Sequence, residues 1–89
     1  MSYEEIFKAL ADKKRLEILK TLNRKGSTCV CKLVDEFELS QSKLSYHLKL
    51  LLDNNLIIKT SQGKWNYYDI NIETLKQILN ENTIEVILK

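Results

Sequence analysis

Only two residues, Glu38 and Leu39, separate an apolar arc ending at Phe37 from Ser40, a serine placed to cap another helix. The arc is Val30, Leu33, Val34 and Phe37, on one face of a short helix opening at Ser27 or Thr28. Beyond Ser40, with each residue turning roughly 100° around a helix, Leu44, Leu48, Leu51 and Leu52 fall in one stripe. This second helix runs to about Asn54. A short helix, a tight turn and a serine-capped helix make the helix-turn-helix arrangement.

The flanking segments narrow the choice. Ser2 and Glu5 have the spacing of a capping box, and Ile6, Phe7 and Leu10 follow on one face. Asp12 caps a helix with Leu16, Leu19 and Leu22 inward, and Gly26 stops it just after Arg24 and Lys25. After Asn54, residues 56–60 are short and apolar, 61–64 contain Gly63, and 65–71 are aromatic and strand-like. A hairpin there is the wing of a winged helix. Asn71 caps a last helix over residues 72–88, with Ile72, Leu75, Leu79 and Val86 recurring at helical spacing and Ile78 beside them. The expected fold is mainly α with a small β-hairpin, a winged helix-turn-helix in one domain over residues 1–89.

The 89 residues are 44% apolar and 29% charged, with two glycines and no proline, which suits a mostly helical globule. No stretch reaches the roughly 18 apolar residues of a membrane span. The acidic, helix-patterned start is unlike a secretory signal, so the expected compartment is the cytoplasm. Net charge is only +2, but lysine and arginine are dense over residues 13–25 and recur at Lys43, Lys49, Lys59 and Lys64. That distribution permits a basic face on a nearly neutral chain. One histidine, no phosphate loop and no nucleophile–base–orienter set argue against an enzyme.

On the second helix of the pair, Ser42, Ser45, Tyr46 and Lys49 lie opposite the leucines. With Gln41 and Lys43 they offer groups for base edges and phosphates. Such a stripe is also compatible with an ordinary solvated face; its place between a tight turn and a wing favours DNA. Lys59, Gln62 and Lys64 on the hairpin suit a phosphate backbone or a minor groove, or simple edge protection. His47 sits beside the leucine stripe and reads as a packing residue. Leu50 points away from that stripe, toward the underside of the wing. Cys29 and Cys31 are too close for a relaxed disulfide staple, so metal or redox chemistry is the better expectation than structural bridging. They also suit two small, partly buried apolar residues.

FKALADKKRLEIL, TCVCKL and LSQSKLSYHLKLLLDNNLI, followed by QGKWNYYDIN, resemble the ArsR/SmtB family of metal-responsive repressors. Within it the chain is most similar to the arsenical-resistance repressors. The match runs from about Phe7 to Asn71; Lys13 replaces the proline usual there. The resemblance implies a homodimer built on the first and last helices, here residues 2–11 and 72–88. It implies binding to double-stranded operator DNA with an inverted repeat, and release when an inducer binds. No cofactor is required. Cys29 and Cys31 are the implied inducer ligands; the third cysteine common in arsenic sensors is replaced by Val34. Residues 72–89 hold no histidine for a zinc site, and no cysteine precedes Cys29 for cadmium or lead. Arsenite or antimonite is therefore the expected inducer, with redox or persulfide sensing as the alternative. On a regular helix, residues two apart point roughly 200° from each other. One ion holding both sulfurs is therefore expected to unwind the first turn of that helix.

Overall fold

The computed structural model describes residues 2–89. Helix α1 (Tyr3–Leu10) is capped by Ser2, whose hydroxyl accepts from the Glu5 N–H. It buries Ile6, Ala9 and Leu10. Phe7 does not join them: it stands 48% exposed, one helical step from the inward face, with Tyr3 beside it at 69%. Asp12 caps α2 (Lys13–Lys25), accepting from the Arg15 N–H at 3.0 Å. Ile18, Leu19 and Leu22 carry its core face. Gly26, at φ 77°, ends α2 in a conformation that only glycine adopts freely.

The third helix starts later than its sequence suggests. Thr28–Cys29 form a two-residue strand, β1, and α3 is Val30–Phe37. Threonine is a strand former, and the Thr28 hydroxyl is held by the Gly26 carbonyl at 2.8 Å. Glu38 then turns the chain in the left-handed region (φ 51°, ψ 33°), and α4 (Gln41–Asp53) follows, capped by Ser40. Leu44, Leu48 and Leu51 are buried and Leu52 is half-buried. Leu50 turns toward α1, sharing a groove with Glu5, Lys8 and Arg15 rather than packing under the wing. At the end of α4 the Leu56 N–H donates to Leu51 and the Asn55 N–H to Leu52, with Asn55 left-handed. This is a Schellman motif with asparagine in place of glycine, and its apolar contact is the buried Leu51 and Leu56.

Strands β2 (Ile57–Gln62) and β3 (Trp65–Ile70) pair antiparallel, with Gln62 opposite Trp65. The turn is therefore only Gly63 and Lys64, shorter than the four residues expected. Gly63 supplies φ 62°, and Ser61 bonds Asn66 across the strands. The wing is also not a lone hairpin. Strand β1 pairs with β3, Thr28 opposite Tyr68 and Cys29 opposite Tyr67, giving a three-stranded sheet in the order β1-β3-β2.

The final helix is broken in two, α5 (Ile72–Ile78) and α6 (Glu81–Leu88). Leu79 is extended, and the Asn80 side chain accepts from the Thr83 N–H at 2.8 Å, restarting the helix. The break resets the helical phase. Leu75 and Ile84 face inward while Val86 stands 74% exposed, so the expected single stripe does not exist. Helix α6 packs back on α2. No helix is long and apolar enough to cross a membrane among the described residues.

Candidate nucleic-acid interface and cysteine site

Helix α4 buries Leu44, Leu48 and Leu51 and displays its polar groups on the opposite side. Gln41, Ser42, Lys43, Ser45, Tyr46 and Lys49 are all exposed. Gln41, Ser42 and Lys43 form its first turn, where free N–H groups favour anions. Tyr46 is 60% exposed, its ring edge-on to His47 with centroids 5.6 Å apart. Lys49 is tied to Asp53 one turn on, at 3.0 Å. Both ends of that pair are well exposed, so it is weak and easily exchanged for a phosphate. On the wing, Gln62 and Lys64 flank the tip. Lys59 is three residues back from Gln62, and strand alternation puts the two on opposite faces. The three wing residues therefore do not form one patch.

The sequence did not single out Arg15. It is buried, and its guanidinium reaches two elements at once. Nε donates to the Ala9 carbonyl at 2.7 Å and Nη2 to the Lys8 carbonyl at 3.1 Å, in the last turn of α1. Nη1 lies 3.1 Å from His47 Nδ1 on α4. A guanidinium can only donate, so Nδ1 is the acceptor in this contact. His47 is thus a packed, hydrogen-bonded residue, as its place beside the leucines suggested. The Asp12 carboxylate, 3.9 Å from the same nitrogen, is held below its usual pKa first by the Arg15 N–H it caps. The signal for Arg15 was available: an arginine three residues after a capping aspartate, at a position reading as core.

Cys29 and Cys31 correct the helical-wheel expectation. Cys29 is not in the helix but is its N-cap, with extended backbone (φ −63°, ψ 140°). Its sulfur accepts from the Cys31 N–H at 3.3 Å, and the two sulfurs meet as a disulfide, with Cα atoms 5.3 Å apart. The strand-to-helix junction brings together two side chains that a continuous helix would have separated. Convergence therefore requires no unwinding of α3. Beside the pair lies a groove of ≈ 570 Å³, whose walls include Lys25, Lys32, Trp65 and Tyr67. Trp65 also lines a second, smaller hollow with Cys31, Val34 and Gln41, at the start of α4. The pair has no further metal-ligating neighbour: no group of three or more His, Cys, Asp or Glu gathers among the described residues.

A family model described as "Bacterial regulatory protein, arsR family" matches residues 12–59, from the α2 cap into the wing. The arsenical resistance operon repressor of Bacillus subtilis (strain 168) is 60% identical over 79 residues, spanning 89% of this chain and 75% of that protein. The chain belongs to the ArsR family. HlyU from Vibrio cholerae N16961 superposes with a TM-score of 0.73 at 32% identity, over 83% of this chain and 80% of that one. The fold is also that of Mb0332 from Mycobacterium bovis, solved as a homodimeric winged helix-turn-helix DNA-binding domain. There the TM-score is 0.79 at 24% identity, covering 94% and 75% of the two chains. These ArsR-family relatives place the chain among DNA-binding transcriptional regulators, not enzymes.

Proposed function

We propose that this ArsR-family regulator is a cytoplasmic homodimeric repressor that leaves its operator when a trivalent arsenical, arsenite or antimonite, binds Cys29 and Cys31. The observation carrying this reading is the convergence of the two sulfurs at a junction bonded into the wing's own sheet. Paired thiolates are soft donors that suit a thiophilic ion. The B. subtilis relative is named for arsenical resistance.

On the DNA side, Gln41, Ser42, Ser45 and Tyr46 face base edges in the major groove, while Lys43 and Lys49 meet phosphates. Lys64 and Gln62 follow the backbone from the wing tip, with Lys59 behind them. An inverted-repeat operator requires two such helices related by a twofold axis. Tyr3 and Phe7 of α1 and Val86 of α6 are exposed apolar side chains on the helices that the proposed dimer would use. Homodimeric Mb0332 has the same fold.

The geometry also revises the route from input to output. Cys29 pairs with Tyr67 on the inner wing strand, and Cys31 borders the hollow that Gln41 shares. A ligand that fixes the spacing of the two sulfurs therefore shifts β1 against β3 and α3 against α4. Release follows if the ligand prefers that shifted state. Redox sensing is a second reading, favoured by the disulfide itself: oxidation and metalloid binding compete for the same two sulfurs.

The test is a gel shift of the reduced protein on the DNA flanking its own gene, with arsenite or with a disulfide-forming oxidant. Arsenite should release the parent, and the Cys29→Ser/Cys31→Ser variant should stay bound at every concentration that releases the parent. Unchanged release in the double variant sinks the site. Release by oxidant alone, with arsenite inert, selects the redox reading.

A further inference from the structure

The groove beside the cysteine pair is more selective than two sulfurs require. Lys25, Ser27 and Lys32 line it, with Trp65 and Tyr67 as aromatic walls, and no carboxylate is in its lining. Lys25 is joined to Glu36 at 2.6 Å. Lys32 is exposed, and among the described residues no carboxylate pairs with it. Trivalent arsenic holds three ligands and prefers sulfur. These 89 residues hold two cysteines, and a cationic, aromatic-walled groove lies beside them.

We infer that the third ligand is the sulfur of a small carboxylate-bearing monothiol, seated in this groove with its carboxylate toward Lys32 and Lys25 and its carbon chain along Trp65. The inference rests on the reading of Cys29 and Cys31 as the arsenical site. Two molecules of the monothiol first open the disulfide: two thiols are oxidised to one external disulfide, and their hydrogens pass to Cys29 and Cys31. Arsenous acid then exchanges its three hydroxyls for the two cysteine sulfurs and one monothiol sulfur. Three As–O bonds break, three As–S bonds form, and three waters leave. The carboxylate explains why lysines line a site whose inducer, arsenous acid, is uncharged. It also gives Lys32 a partner that the fold does not supply.

The experiment titrates arsenite into the reduced protein and its Lys32→Gln variant, in matched mercaptoacetate or in matched cysteamine. Trp65, the single tryptophan, reports occupancy by fluorescence. Arsenic-edge absorption counts the sulfurs. Both proteins meet the same free arsenite–thiol equilibrium, so the parent-to-variant ratio isolates the groove. In mercaptoacetate the variant should need about fivefold more arsenite, the scale of one partly solvated ion pair. In cysteamine the two proteins should match or reverse order, and the mercaptoacetate complex should show three sulfurs. Equal ratios in both thiols, or two sulfurs in mercaptoacetate, overturn the monothiol. Absence of arsenite binding under either thiol overturns the arsenical site itself.

Discussion

Helix α4 is held differently on its two flanks. Toward α1 and α2 its His47 is bonded to an arginine that also closes the end of α1, and α2 carries fully buried Ile18 and Leu19. Toward α3 the packing is apolar. Leu33 alone is fully buried on α3, while Val30, Val34 and Phe37 are half-covered, and Val30 and Val34 line a hollow of ≈ 300 Å³ with Gln41 and Trp65. Hydrogen bonds through Arg15 hold one flank of α4; half-buried apolar side chains hold the other. The cysteine pair lies on the second, so under the proposed function a bound ligand acts on the side held by apolar packing.

The difference is broken most directly at Arg15. Arg15→Ala removes three hydrogen bonds and strands the Lys8 and Ala9 carbonyls and His47 Nδ1. We expect a loss of about 3 kcal/mol, read as a fall in the urea midpoint at fixed protein concentration. Arg15→Lys should rescue little of it, because one ammonium cannot reproduce the planar fork. A loss near that of a surface substitution would show the flank is not fixed by this residue.

Asp12 belongs to the same flank and should matter less. Asp12→Ala removes a cap worth about 1 kcal/mol. The folded carboxyl lies below its ordinary 3.8, first because it accepts the Arg15 N–H. Its stabilisation is therefore present above pH 3.8 and is lost as pH falls through the lower folded value. Midpoints of parent and Asp12→Ala should converge in that acid range and stay apart above it. Parallel curves across it would remove the ionised cap from the account.

These residues also show what could be read in advance. Caps, helix periods and the Gly63 turn are local, so Ser2, Asp12 and Ser40 placed three helix starts correctly. The cysteine geometry was not legible, because it depends on β1 pairing with β3 about 40 residues away in sequence. Without that pairing Thr28 and Cys29 read as the start of a helix. The break at Leu79 was hidden by a stripe that continued in apolar composition but not in phase. Arg15 was missed because two of its three partners are backbone carbonyls, so only its place three residues after the Asp12 cap, on the core side of α2, could have pointed to it.

On the apolar flank, Val34→Ala deletes two half-buried methyl groups and should cost about 0.8 kcal/mol, less than either change above. Its effect on function should be larger in proportion. The substitution enlarges the hollow between Cys31, Gln41 and Trp65, so arsenite-driven release should require a higher concentration at unchanged Trp65 occupancy. Release that tracks occupancy as in the parent would mean that coupling bypasses this hollow and runs through β1 and β3 alone.

The smallest effect is expected at Glu38, the turn that links α3 to α4. Its φ of 51° puts an L side chain in the left-handed region, at a cost of roughly 1–2 kcal/mol. Glu38→Gly removes that strain but adds freedom to the unfolded chain, so the net gain should be about 0.5 kcal/mol. Glu38→Asn, which tolerates the same conformation, should give a similar sign without the added freedom, separating strain from entropy. Operator affinity without arsenite should not change, since neither substitution alters the face of α4. If the glycine variant is more stable yet needs more arsenite to let go of DNA, a stiff turn is what carries motion from α3 to α4. If both variants lose stability, Glu38 is held in its conformation by contacts worth more than the strain, and the apolar flank is anchored at its turn.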